Sequence, residues 1–235
     1  MTKVEWGEKM ADQKSFCIDR IRKQMSRLSD IKDSYQGLRE KTDTVLLHFI
    51  ERTEEIVTSS LLSAGLPTVL MILCRVLCED LFLIYWITQS TEAADEYEEG
   101  VQNEMAKMLG VSLSNRWGVI RNIHTGEAVS KEFMEQEFWP KLKTLRTPRT
   151  KIEQIAQRLG LQKLYDTLYR AASLEVHGNT FGLPEPRDAE ADYIALSSID
   201  ALLNCILAIV ALPRKIVEPN EILSRLRIQN MGSKT

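Results

Sequence analysis

The stretch LPTVLMILCRVLCEDLFLIYWI, Leu66 to Ile87, is the strongest constraint that the sequence places on the fold. It is apolar nearly all round, so as a helix it has no face to offer water and must be enclosed by other elements or by lipid. Arg75, Glu79 and Asp80 stand in its middle. Each charge at the centre of a membrane span costs about 2.5 to 3.5 kcal/mol on insertion scales. A buried core helix is therefore expected, and no membrane span. ALSSIDALLNCILAIVAL, Ala195 to Leu212, has the same all-round apolar character and is expected as a second central helix.

The remaining segments read as the wrapping of those two. Glycine and proline are scarce, 11 and 7, and they fall between stretches of helical length. FCIDRIRKQMSRLSDIKDSY carries Phe16, Ile18, Ile21, Met25, Leu28 and Ile31 at threes and fours, a narrow apolar stripe. Similar spacing predicts helices over about 43 to 63, 67 to 89, 92 to 109, 130 to 145, 150 to 177, 188 to 212 and 219 to 227. No alternating run argues for a sheet. The expectation is one all-α domain, a helical bundle with two apolar central helices surrounded by amphipathic ones. Residues 1–40 are expected as an N-terminal helical extension, 41–228 as the helical domain and 229–235 as a flexible tail.

Lys and Arg total 30 against 33 Asp and Glu, a net charge of -3, so any contact with nucleic acid must be local. The basic run KLKTLRTPRTK holds Lys141, Lys143, Arg146 and Arg149 without an acid. It is either a surface turn or a patch that steers phosphates. The acidic run EAADEYEEG, Glu92 to Gly100, is expected as a solvated helix face. Cys17, Cys74, Cys78 and Cys205 form neither a CxxC pair nor a disulfide framework, which suits a reducing cytoplasm. His48 and His124 lack metal-ligand spacing relative to them, so no metal and no cofactor is expected. MTKVEWGEKMADQKSF has no apolar core, and a cytoplasmic protein is expected.

The chemistry-bearing stretch is RAASLEVHGN, Arg170 to Asn179. Seven residues turn an α-helix through about 700°, which puts Arg170 and His177 within about 20° of one face. Ser173 lies between them, and Tyr169 is one turn before Ser173. Imidazole titrates near neutrality and can exchange protons with a ribose 2′-hydroxyl or a leaving oxygen, while guanidinium donates in a fork to phosphate. No metal is needed for that chemistry. The same residues also suit a helix end, with Gly178 or Asn179 in the left-handed conformation and His177 at the negative end of the dipole. Arg75 and Glu79 are an i, i+4 pair in the apolar helix, and ions are buried there only if paired. If the His177 helix packs on that one, Arg75 or Glu79 could reach the same pocket; otherwise the pair is a structural bridge.

The spacing Arg170-x6-His177 resembles the R-x(4-6)-H motif of the HEPN superfamily, all-α domains that include many metal-independent endoribonucleases of toxin and phage-defence systems. LCRVLCEDLFLIYWITQSTEAADEY followed by LYRAASLEVHGN is also similar to an uncharacterised bacterial family that combines an R-x3-E helix, a tyrosine after it, and a Y-x3-S-x3-H helix. Those elements are Arg75, Glu79, Tyr85, Tyr169, Ser173 and His177, and the likeness runs from about Val45 to Leu212. Where HEPN nucleases often carry Asn, Asp or His after the arginine, this chain has Ala171.

The resemblance implies a HEPN-like homodimer that cleaves RNA, with His177 as acid or base and Arg170 on the phosphate. Ser173, Arg75 and Glu79 would complete the catalytic set. Tyr169, Asn179, Tyr85 and, from the basic run, Lys141, Lys143, Arg146 and Arg149 would contact substrate, and a regulatory or antitoxin partner is expected. The alternative is a non-catalytic helical module that binds a partner protein or a nucleotide.

Overall fold

The computed structural model describes residues 3–114, 119, 121, 122, 124–138, 140, 150–176, 188–211 and 218–226. The protein is an all-α helical bundle. Among the described residues the only β pairing is an isolated bridge between Arg121 and Ala128. The chain divides into two compact units, Met1–Thr91 with Ile152–Thr235, and Glu92–Lys151.

The first unit contains α1 (Lys3–Tyr35), α2 (Lys41–Leu62), α3 (Pro67–Ile87), α6 (Ile152–Arg158), α7 (Gln162–Leu164), α8 (Arg170–Val176), α9 (Asp188–Val210) and α10 (Pro219–Arg225). As the apolar patterning requires, α3 and α9 are central. Helix α3 packs on α2, α6, α8 and α9, and α9 packs on α1, α2, α3 and α10. Proline opens α3 and α10, where its missing N–H costs no hydrogen bond. Helix α9 is also long and apolar enough to cross a membrane, from Glu190 to Val210, but 61% of that window is buried inside the protein. Its burial is that of a core helix.

The segment expected as an extension is built into the core. Helix α1 lays Cys17, Ile21, Leu28 and Tyr35 against α9 and α2, and all four are buried. Tyr35 donates to the Val210 carbonyl over 3.1 Å, and ion pairs Lys14–Asp192 and Arg20–Asp200 clasp α1 to α9. The stripe is turned slightly from its expected setting. Phe16 is 63% exposed, with the Arg20 guanidinium 5.8 Å from its ring centre.

The single helix expected over 150 to 177 is divided twice. Gly160 has φ +69, and its N–H bonds to Gln157 O while the Leu161 N–H bonds to Ala156 O. That pair of bonds is a Schellman motif, which ends α6 because glycine takes the left-handed conformation without a Cβ penalty. The apolar contact that usually completes such a motif is available from Leu161 and Ala156, both fully buried. Between α7 and α8, Tyr165–Tyr169 is a π-helical turn.

The second unit contains α4 (Thr91–Ser114) and α5 (Lys131–Phe133), the latter running into a π-helical turn, Met134–Phe138. On α4, Glu92, Asp95 and Glu99 of the acidic run are exposed, while Ala93, Ala94 and Gly100 are buried. A hydrogen bond from Thr150 to Glu96 ties the end of this unit to its first helix.

Candidate functional site

The three charges inside α3 are each accounted for by a neighbour. Asp80 is fully buried, and Arg52 Nε of α2 lies 3.3 Å from its Oδ2. Arg75 and Glu79 face the opposite partner, the α7–α8 rod. Arg75 Nη2 is 3.2 Å from Glu79 Oε1 and donates to Tyr169 Oη over 3.3 Å. Tyr169 Oη in turn donates to Glu79 Oε1 over 2.8 Å. Cation, phenol and carboxylate thus close a ring of contacts that joins α3 to the residue directly before Arg170. The packing of the motif helix on the Arg75 helix, on which a shared site depends, is present.

The ring is less buried than an apolar helix suggests. The side chains of Arg75 and Glu79 are 26% and 21% exposed, so the site opens to solvent at one edge. Burial holds the Tyr169 phenol above its ordinary pKa, and Glu79 acts in the same direction against Arg75. The hydroxyl therefore stays protonated and serves as a donor to Glu79. The hydrogen bond to Tyr169, with Glu79 adding to it, holds Arg75 still more firmly in its cationic form. Among the described residues Arg75 Nε has no hydrogen-bond partner although its atom is buried. Such an unpaired donor costs about 1–3 kcal/mol.

The π-helical turn sets how the aromatic residues meet. The Arg170 N–H bonds to Tyr165 O, five residues back. In a regular α-helix residues five apart point about 140° from each other, whereas a turn closed by such bonds brings them together. Arg170 consequently lies over the Tyr165 ring, 5.4 Å from its centre. Tyr165 stacks on Tyr169 at 4.9 Å and 20°, and the Arg75 guanidinium is 5.4 Å from the Tyr169 ring centre. Phe82 of α3 meets both tyrosine rings at 6.4 Å and backs the stack from the core. Arg170 also approaches Glu153 and Asp166, each at 3.4 Å, with its side chain 58% exposed.

The structure thus brings Arg75, Glu79 and Tyr169 together and sets Arg170 at the outer end of the same stack. Ser173 donates to the Tyr169 carbonyl over 2.7 Å, so its proton is engaged by the helix backbone. Tyr85 lies elsewhere. It is 2% exposed and lines a 390 Å³ cleft with Trp86, Gln89, Arg158, Glu218 and Pro219. Burial, with Glu218 and Glu221 adding to it, pushes its phenol up to about 12. His177, Asn179, Lys141, Lys143, Arg146 and Arg149 lie outside the described residues. Tyr165, Glu153 and Asp166 were not among the sequence candidates. The i, i+4 spacing of Tyr165 and Tyr169 is the signal that could have found the aromatic pair.

No curated protein matches the chain, and no solved structure does. Residues 45–188, more than half of the chain, match a family, and this stretch includes Arg75, Glu79, Tyr169, Arg170, Ser173 and His177. The chain belongs to the Family of unknown function (DUF5677).

Proposed function

We propose that this chain is a metal-independent endoribonuclease of HEPN type, working in the cytoplasm as a homodimer and serving as a regulated toxin or phage-defence effector. The observation that carries this reading is the joining of the motif helix to the charged pair of α3: Tyr169, next to Arg170, bonds to both Arg75 and Glu79. In this mechanism His177 takes the proton of a ribose 2′-hydroxyl. The oxygen attacks phosphorus, the bond to the 5′-oxygen breaks, and that oxygen takes a proton from water as it leaves. The products are a 2′,3′-cyclic phosphate and a 5′-hydroxyl end. Arg170 stabilises the charge that builds on phosphate. Exposed ion pairs such as those to Glu153 and Asp166 are worth about 0–1 kcal/mol, so phosphate can displace them. Arg75, Glu79 and Tyr169 position the helix that presents the motif.

Induced expression in a bacterial host tests this. Growth arrest and fragmented RNA with the wild type, both lost with His177→Ala, are the expected result.

A second reading has its own observation. Arg75, Glu79 and Tyr169 bond to one another, as a structural bridge in a non-catalytic module would. In that case RNA stays intact, and the chain binds a partner protein or a nucleotide instead.

A further inference from the structure

We infer that the cleft bounded by the end of α3, the end of α6 and the start of α10 is a binding site for a free amino acid with an apolar side chain. Tyr85, at its floor, follows Arg75 by ten residues, about 15 Å along the helix. The cleft is thus separate from the ring of Arg75, Glu79 and Tyr169, and binding there does not depend on the ribonuclease reading.

Three elements build the cleft. Tyr85, Trp86 and Gln89 come from the last turn of α3 and the residues after it. The left-handed turn at Gly160 ends α6 and leaves Arg158 and Leu159 on a second side. The same turn brings the chain against α10, where the Pro219 side chain lies 3.7 Å from the place of a Cβ on Gly160. Glu218 and Pro219 form the third side, and the space between is 390 Å³. Small-molecule sites run from about 300 to 1,000 Å³. A volume at the low end suits a molecule the size of an amino acid better than a nucleotide or a peptide.

The lining decides the class of ligand. Tyr85, Trp86 and Leu159 are at most 7% exposed and make an apolar floor. Arg158 and Glu218, both exposed, bring one charge of each sign to the opening. The Glu218 side chain does not cap α10, and among the described residues its carboxylate forms no ion pair. Glu221, which also bears on the Tyr85 phenol, is held instead by Arg225 at 2.8 Å. Gln89 donates Nε2 to the Tyr85 carbonyl over 3.1 Å, which leaves its amide oxygen as an acceptor. The guanidinium of Arg158 offers five donors in a fork that matches a carboxylate. An ammonium for Glu218 and Gln89, a carboxylate for Arg158 and a hydrocarbon body for Trp86 and Leu159 answer these groups together. A simple amine would leave Arg158 without a complement, and a simple acid would leave Glu218 without one.

Isothermal titration calorimetry tests this with three probes: L-phenylalanine, phenethylamine, which lacks the carboxylate, and 3-phenylpropanoate, which lacks the ammonium. Wild type is expected to bind L-phenylalanine with a Kd of about 1 mM or tighter. Each single-charge analogue is expected to bind at least about tenfold more weakly, for want of one charge-assisted hydrogen bond. Glu218→Gln is expected to weaken L-phenylalanine about tenfold and to leave 3-phenylpropanoate unchanged. Arg158→Gln is expected to weaken L-phenylalanine to a similar degree and to leave phenethylamine unchanged. Both side chains are exposed, and thermal melts verify the fold of each variant. No binding heat from L-phenylalanine at about 10 mM, equal affinity of wild type for the three probes, or unchanged affinity for L-phenylalanine in either folded variant overturns the inference. None of these outcomes bears on RNA cleavage, so the ribonuclease reading stands or falls separately.

Discussion

Tyr169 donates its hydroxyl proton to Glu79 across 2.8 Å while accepting from Arg75, and so makes one phenol the joint between the charged pair of α3 and the motif helix. Removal of that hydroxyl alone, in Tyr169→Phe, leaves the ring stacked on Tyr165 but breaks both bonds. The expected cost is ~1 kcal/mol of stability, because the Arg75 and Glu79 side chains are partly exposed and recover water as a partner. Arg75→Ala and Glu79→Ala are expected to cost about 1–3 kcal/mol each, less than fully buried ions would. Chemical denaturation of the singles and doubles checks this. Strict additivity would show that the ring of contacts is not coupled.

Gly160→Ala tests the break in the helix expected over 150 to 177. The left-handed φ of +69 costs an alanine about 1–2 kcal/mol, and a chain of this size loses about 2–4 °C in Tm per kcal/mol. Among the described residues nothing packs closer than the Pro219 side chain at 3.7 Å from an added Cβ, so backbone conformation and not collision is what the melt would report. An unchanged or raised Tm would mean that α6 does not end there.

Two positions on α1 separate a core helix from an appended one. Leu28 is fully buried, and Leu28→Ala is expected to cost about 2–5 kcal/mol. Phe16, at 63% exposure, is expected to be replaceable by alanine within about 0.5 kcal/mol. Equal, small effects at both would return α1 to the status of an extension.

Alkaline titration probes burial directly. The phenols of Tyr35 and Tyr85 are pushed up to about 12 from 10.0, and the thiols of Cys74 and Cys205 to about 12 from 9.0, in each case chiefly by burial. The unfolded chain ionises first, so the folded state binds more protons above the ordinary values and stability falls as pH rises. The stabilisation is complete below pH 9 and is lost progressively up to about pH 12. Ultraviolet tyrosinate absorbance should still be rising at about pH 12, where Tyr35 and Tyr85 ionise. A single step near pH 10 in folded protein would contradict their burial.

The sequence made the bundle legible because its two central helices are apolar all round, a pattern that no surface element tolerates. It was less explicit where local geometry departs from the regular helix. The chain end of α6 was marked by Gly160, yet the apolar spacing continues through Leu159, Leu161 and Leu164, all buried, and periodicity alone ran across the break. The π-helical turn carries no glycine or proline in YDTLY, so nothing local announces it. For the same reason the Arg170–Tyr165 contact was not foreseeable from α-helical spacing, which sets those residues on different faces. The pairing of Arg75 with Glu79 was legible from i, i+4 spacing; that Tyr169 completes it depends on how α8 lies on α3. The basic run from Lys141 to Arg149, and His177 itself, fall outside the described residues.

The most direct test of the central claim is incubation of purified protein with a single-stranded RNA in excess chelator. Cleavage that persists in chelator, leaves 2′,3′-cyclic phosphate ends and disappears in a folded His177→Ala variant is the predicted result. RNA that stays intact with the wild type, or cleavage that survives His177→Ala unchanged, would contradict it.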